Sequence, residues 1–224
     1  MDLRDKVVLV TGANGALGSA VATKARTLGG NVLLFDLKIP DNPTENGQWV
    51  ELNLTDEAAV EAAASKIASV DVIFHIAGGF DMGPTVYELS QANLDHLFQM
   101  NVTTFHNIAR AFIPRMIERG RGSVVTIGAL GAATGLANMG AYGVAKSSLL
   151  RLTESLSAEV KDKGVNVNCV LPSIIDTPAN RQGMPDEDHS TWVSVDDLAN
   201  VICFLGSESA RAVHGASLPV TGLV

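Results

Sequence analysis

The sequence predicts an α/β domain built on a parallel sheet, and three observations predict it. Short β-branched runs alternate with helical periodicity from one end of the chain to the other. The first of these runs closes on a glycine turn that opens a helix. The length, 224 residues at 46% hydrophobic content, suits one sizeable core better than two small ones.

Lys6 to Thr11 is the first strand run, ending at Gly12, and Ala16 to Leu28 follows with helical spacing. The turn reads TGANGALG. Gly12, Gly15 and Gly18, three apart, suit a backbone that bends tightly and lets a pyrophosphate approach the helix N-terminus, with Asn14, Ala16 and Leu17 completing the cradle. A glycine turn that binds nothing is the bland alternative, so the rest of the chain must decide. Asn31 to Phe35 is a second strand run. Asp36 stands at its end, where a carboxylate accepts hydrogen bonds from adenosine ribose hydroxyls and repels a 2′-phosphate. No arginine follows in Asp36-Leu37-Lys38, so NAD(H) is favoured; Lys38 is the argument for NADP(H).

Gln48 to Asn53 reads as a third strand and Asp56 to Ala68 as an alanine-rich helix, with Asn53 and Leu54 between them as candidate nucleotide contacts. Asp71 to Ile76 is a fourth strand, closed by Ala77, Gly78 and Gly79, three small residues that let a nucleotide lie close. Leu94 to Glu118 reads as one long amphipathic helix interrupted by Pro114. It contains Asn101, a poor helix-interior residue, and this argues for a purpose beyond an exposed or capping position. Ser123 to Ile127 is a fifth strand and Val165 to Leu171 a sixth. Pro172 to Trp192 has turn formers, acids and no periodicity, so it reads as a loop over the site, with 178–193 as the substrate-site part. Val195 to Leu205 is the last helix, N-capped by Ser194, and Ala216 to Val220 the last strand. No linker, repeat or low-complexity stretch divides the chain, so residues 1–224 read as a single domain.

Charge and cysteine usage narrow the partners. A net charge of −8 argues against nucleic acid or an anionic membrane, both of which need a basic surface. Cys169 and Cys203 lie in apolar segments, which reads as two free thiols in a reducing, cytoplasmic setting. The apolar run near the N-terminus is too short for a signal segment or a membrane span. The five histidines are dispersed without ligand spacing, so no metal is expected.

The segment Gly140 to Glu159 places Tyr142 and Lys146 four residues apart in a helical pattern, on one face. An ammonium held beside a phenol favours the phenolate. Lowering a tyrosine pKa from about 10 to about 7 takes roughly 4 kcal/mol, and a unit charge about 4 Å away supplies that at an effective dielectric near 20. Tyr142 is therefore a candidate proton donor and acceptor, against the alternative of a solvated surface pair.

With the glycine turn, Asp36, Asn101 and the Tyr142/Lys146 pair in this order, the chain resembles the short-chain dehydrogenase/reductase family along essentially its whole length. The resemblance implies a Rossmann-type, doubly wound parallel sheet of about seven strands. It implies that Tyr142 shuttles the proton, that Lys146 holds the nicotinamide ribose, and that Asn101 supports a water-mediated proton relay. Thr177, in PSIIDTP, matches the family threonine that contacts the nicotinamide carboxamide, with Pro172 and Ile175 nearby. The family's Asn-Asn-Ala-Gly turn corresponds to His75-Ile76-Ala77-Gly78 and keeps only its last two residues. The family's serine, thirteen residues before the tyrosine, is here Ala129. Losing that hydroxyl commonly raises the barrier for a ketone by about 3 kcal/mol; Thr126 and Thr134 are substitutes at other spacings.

One branch, the dihydropteridine reductases, is similar in the turn from Gly15 to Ser19, in alanine at the serine position, and in the segment Asp176 to Arg181 with Met184-Pro185, Ser190 and Trp192. Asn101 is shared with the ordinary family enzymes instead. The implied activity is an NAD(H)-dependent oxidoreductase acting on a small carbonyl/alcohol pair or a conjugated imine of quinonoid, pterin-like type. Its rival is a catalytically weak or inactive dinucleotide-binding regulator. Ala129, Met184 and Trp192 are expected on the substrate side, while Arg181 and His189 suit substrate contact and loop packing equally. The resemblance also implies a homodimer or homotetramer joined through the Asn101 and Tyr142 helices; Leu149, Leu150 and Leu156 suit such a face or plain core.

Overall fold

Alternation along the strands decides the layering. In β1 (Val7–Thr11), Val8 and Val10 point into one apolar cluster and Leu9 into another, all three fully buried. A strand buried on both faces belongs inside a sheet that is covered twice. The computed structural model, which describes residues 1–43 and 47–224, has that sheet. Seven parallel strands run in the order β3-β2-β1-β4-β5-β6-β9. They are β1, β2 (Asn31–Asp36), β3 (Gln48–Glu51), β4 (Val72–His75), β5 (Gly122–Ile127), β6 (Val165–Pro172) and β9 (Ser217–Val220).

On one face lie α1 (Ala16–Thr27) and α7 (Val195–Leu205), whose Val21, Ala25, Leu198 and Ile202 pack on Val10, Phe74 and Val170. On the other lie α2 (Glu57–Ser65), α4 (Thr104–Arg119) and α5 (Gly140–Val160), whose Val60, Ile108, Phe112 and Leu149 pack on Leu9, Phe35 and Val167. Strand order reverses between β1 and β4, and in such sheets the crevice at the carboxyl ends of these two strands is the ligand site.

Local chemistry sets the helix ends. Asp56 caps α2 by accepting from the Ala59 N–H, and Ser194 caps α7 by accepting from Asp197 N–H at 3.0 Å. Gly120, at φ 64°, ends α4 in the left-handed conformation that suits glycine.

Two expectations need correction, and one left open is decided. The single helix over Leu94–Glu118 is α3 (Gln91–Phe98), a π-helical turn (Gln99–Thr103) and α4, and the chain passes through Pro114 without a break. The interruption falls at Asn101. The loop between Pro172 and Trp192 contains β7 (Ile175–Asp176) and α6 (Pro178–Gly183), and β7 pairs with β8 (Val193–Ser194) just beyond it. Leu149 is fully buried and Leu156 packs on the same core; the apolar side chains that α5 shows to solvent are Val144 and Leu152. These two line a groove of about 840 Å³ with Phe98 and Leu136.

Candidate active site

Thr11, at the carboxyl end of β1, leads into a turn that only glycine can make. Gly12 sits at φ 65°, and a Cβ there would lie 2.8 Å from the Ala77 backbone; one on Gly18 would lie 2.0 Å from the Gly12 carbonyl oxygen. The N-cap of α1 is Gly15, which brings no side chain to the first-turn N–H groups. Those donors and the positive end of the helix are therefore presented to an anion above the turn. Asp36 closes the neighbouring side, its carboxylate accepting from the Asn14 N–H at 2.9 Å. Asn53 folds the turn after β3 by accepting from Thr55 N–H and Oγ1, and Asn107 holds the Leu54 carbonyl at 2.9 Å. A cradle too tight for side chains, a helix end without a side-chain cap and a carboxylate at the end of β2 fit a dinucleotide.

The second half of the site is the turn Ala77–Gly79 after β4. Asn101, fully buried in the π-helical turn, grips Gly79 from both sides: its Oδ1 accepts from Gly79 N–H at 3.2 Å and its Nδ2 donates to the Gly79 carbonyl at 3.0 Å. The same Nδ2 donates to the Leu97 carbonyl at 2.9 Å. The extra residue of a π turn is what lets an amide on a helix reach inward to a neighbouring backbone. Lys146 approaches from α5, buried, with Nζ donating to the Ile127 carbonyl at 2.8 Å. A Cβ on Gly78 would stand 2.7 Å from Asn101 Oδ1 and 3.2 Å from Lys146 Nζ, so both polar groups converge over that glycine. One helical turn earlier, the Tyr142 ring meets Phe80 edge-on, centroids 5.0 Å apart. Tyr142, Lys146 and Asn101 thus all meet residues 78–80, Tyr142 through the Phe80 ring.

The electrostatics differ from expectation. Burial pushes the Tyr142 phenol up to about 12, and burial pulls the Lys146 ammonium down to about 8. Desolvation therefore outweighs the stabilisation of a phenolate by the lysine that the spacing suggests. In the protein alone, Tyr142 is a protonated donor.

His75 replaces an expected asparagine, and the structure gives it a place. It is 1% exposed. Burial, then the charge of Lys146, pulls its imidazole down to about 3, so it is neutral. Thr104 Oγ1 donates to the Met100 carbonyl at 2.8 Å and faces the imidazole Nε2, at 3.4 Å, as an acceptor. Nε2 therefore carries the proton, and Nδ1 accepts from Thr11 Oγ1 at 3.0 Å. Thr11 Oγ1 in turn accepts from Ala77 N–H at 3.2 Å. This one ring ties the glycine turn, the Ala77 turn and the π turn together. Thr11 and Thr104 were not among the expected site residues; short hydroxyl side chains leave no periodic trace.

Ala129 lies at the end of β5, its carbonyl accepting from Ala132 N–H. Neither proposed substitute serves. Thr126 is fully buried and bonded to Thr153 at 2.9 Å, and Thr134 is exposed on the groove side of α5. Beyond Pro172, the Thr177 hydroxyl caps α6 by accepting from Asn180 N–H at 3.2 Å, while the Ile175 carbonyl accepts from Asn180 Nδ2 at 2.8 Å. Arg181 is paired with Asp176 through two hydrogen bonds of 2.5 and 2.8 Å. Trp192 is 7% exposed, with its ring 4.5 Å from His189, whose Nε2 lies 2.8 Å from the Met184 carbonyl. Trp192, His189 and Arg181 thus hold the loop together, and Met184 is half-buried beside them. Among the described residues no His/Cys/Asp/Glu group is arranged to hold a metal, and no helix is long and apolar enough to cross a membrane.

The chain is similar to known proteins over nearly its whole length. The family described as enoyl-(acyl carrier protein) reductase matches residues 12–222. The chain is 27% identical to the 3-oxoacyl-[acyl-carrier-protein] reductase FabG of Escherichia coli, over 99% of this chain and 98% of that one. Among solved structures, one of ribose-5-phosphate isomerase from Brucella melitensis is 29% identical with a TM-score of 0.89, covering 99% of this chain and 93% of that one. A short-chain type dehydrogenase/reductase from Mycobacterium ulcerans superposes with a TM-score of 0.90 at 24% identity, covering 100% and 90%.

Proposed function

The chain belongs to the short-chain dehydrogenase/reductase family, and on that premise we propose that it is an NAD(H)-dependent oxidoreductase acting on a small carbonyl/alcohol pair or a conjugated, quinonoid imine. One observation carries the reading: Tyr142, Lys146 and Asn101 converge on the Gly78–Phe80 turn beside a glycine cradle shaped for a dinucleotide. A fold of this kind hosts different reactions, so neither the isomerase name of the Brucella structure nor the acyl-carrier-protein name of the Escherichia coli protein is carried over.

In this reading Gly12, Gly15, Gly18 and the first turn of α1 hold the pyrophosphate, and Asp36 holds the adenosine ribose and disfavours a 2′-phosphate. Asn53, Leu54, Ala77, Gly78 and Gly79 line the crevice, and Pro172, Ile175 and Thr177 close it. Nicotinamide, when bound, supplies the hydride chemistry. The protein supplies Tyr142 as proton donor in reduction, Lys146 as the cation that anchors ribose hydroxyls and eases loss of the phenolic proton, and Asn101 as the anchor of the turn. At Ala129 a methyl replaces an oxyanion donor, which favours substrates with little charge to stabilise, such as conjugated imines. The two free buried cysteines support a cytoplasmic setting, and the groove beside Val144 and Leu152 supports pairing into dimers or tetramers through α5.

The test is NADH and NADPH consumption with quinonoid dihydropterin and with a panel of ketones. We expect turnover with NADH that Tyr142→Phe abolishes, and Asp36→Ser shifting preference toward NADPH. NADH binding without turnover on any carbonyl, quinone or imine would instead make the chain a dinucleotide-binding regulator.

A further inference from the structure

Among the described residues, Phe80 is the aromatic ring in contact with Tyr142, and it stands 58% exposed. An aromatic left mostly in water contributes little to folding and keeps apolar area free to meet a ligand. Its backbone is fixed. Gly79 before it is held at both N–H and C=O by Asn101, and a Cβ at residue 79 would meet Met100 Cε at 2.1 Å. The following loop is fixed too: Gly83 N–H donates to the Asn138 carbonyl at 2.9 Å, with Asn138 in the left-handed region at φ 60°. That bond ties the loop to the segment that starts the Tyr142 helix. Met82, on the same loop, is 61% exposed and offers a polarisable thioether. The ring meets Tyr142 at 81°, an edge-to-face contact that can cover at most one of its two faces, so at least one face is left free of Tyr142.

We propose that Phe80 is the wall of the substrate site and that it selects substrates whose reacting carbon is conjugated to a flat ring, which stacks on Phe80 while its one polar atom meets the Tyr142 hydroxyl. The inference rests on Tyr142 being the proton donor beside the substrate. It agrees with Ala129, whose methyl offers an apolar contact to the same kind of ligand. Offset stacking on an oriented aromatic discriminates flat from puckered groups of equal size, because only the flat one brings its whole face into contact.

The test uses two unreactive amides of the same heavy-atom count, benzamide and cyclohexanecarboxamide, titrated into the full chain with NADH present and followed by calorimetry and ligand-observed NMR. We expect benzamide to bind more tightly, and Phe80→Ala and Phe80→Leu each to weaken benzamide by about three- to tenfold while changing cyclohexanecarboxamide by less than twofold. Equal binding of the two amides overturns the proposal, as does benzamide binding unchanged in both variants or restored by leucine. Equal loss of both amides in Phe80→Ala makes the ring a water shield and also overturns it. An unchanged thermal midpoint in Phe80→Leu guards against misfolding. Failure of NADH to bind strikes the dinucleotide reading instead, so the two failures are told apart.

Discussion

Asn101 and Gly79 are joined by two hydrogen bonds, 3.2 Å from Gly79 N–H to Oδ1 and 3.0 Å from Nδ2 to the Gly79 carbonyl, so a helix side chain acts as the sheet partner this turn lacks. Asn101→Ala leaves the Gly79 groups and the Leu97 carbonyl without their partner. Unpaired buried groups cost about 1–3 kcal/mol each. We expect a stability loss of about 2–3 kcal/mol in urea denaturation, with turnover falling at least tenfold because Phe80 and Gly78 lose their support. Asn101→Asp, which keeps the acceptor and loses the donor, falls between.

His75 gives a pH signature. Its folded pKa lies near 3 against 6.5 for the free side chain, chiefly through burial. The unfolded chain therefore binds a proton that the folded chain refuses, and stability falls as pH drops below 6.5. By pH 3 this component reaches roughly 5 kcal/mol, at about 1.36 kcal/mol per pH unit. Urea titrations between pH 7 and 4 show it as the difference between the wild type and His75→Leu. The variant is less stable at pH 7, having left Thr11 and Thr104 without their ring partner, but its stability declines less steeply with acid.

Lys146 sets the alkaline limit of activity. With burial holding its ammonium near 8, the charge beside Tyr142 is lost as pH rises through that value, while Tyr142 itself stays protonated to about 12. We expect kcat/KM for reduction to fall above pH 8 along a single limb, since kcat/KM reports the groups of the free enzyme. Lys146→Met should remove that limb and lower the plateau by two orders of magnitude or more, on the order of 3 kcal/mol.

Ala129→Ser restores a donor at the end of β5. For a simple ketone, one oxyanion donor is worth about 3 kcal/mol or roughly a hundredfold in kcat. Ketone turnover should rise toward that ratio, while turnover of a quinonoid imine, with little oxyanion to stabilise, should change by less than fivefold. Parallel steady-state assays on the two substrate types read the difference.

The layering of the fold was legible because strand runs alternate with helical spacing, several of them close on glycine or small-residue turns, and some helices begin with a readable cap, as at Asp56 and Ser194. The π turn was not. One additional residue in a helix leaves the apolar spacing on either side intact, so Pro114 drew attention that belonged to Asn101. In the site, spacing identified Tyr142 and Lys146 but not the sign of the tyrosine's shift, which depends on desolvation and hence on neighbours remote in sequence. His75, Thr11 and Thr104 became a unit only in three dimensions, and Trp192 and Arg181 proved to hold their own loop.

The contacts that assemble the crevice join distant parts of the chain. Thr11 meets His75 across 64 residues and Asn107 reaches Leu54 across 53. Such closures come after local helices have formed, because long loops cost entropy before any contact rewards them. A chain emerging from synthesis carries its helices well before it carries a working crevice. We expect partly folded molecules to be chemically silent, so that activity appears during refolding only once the sheet is complete.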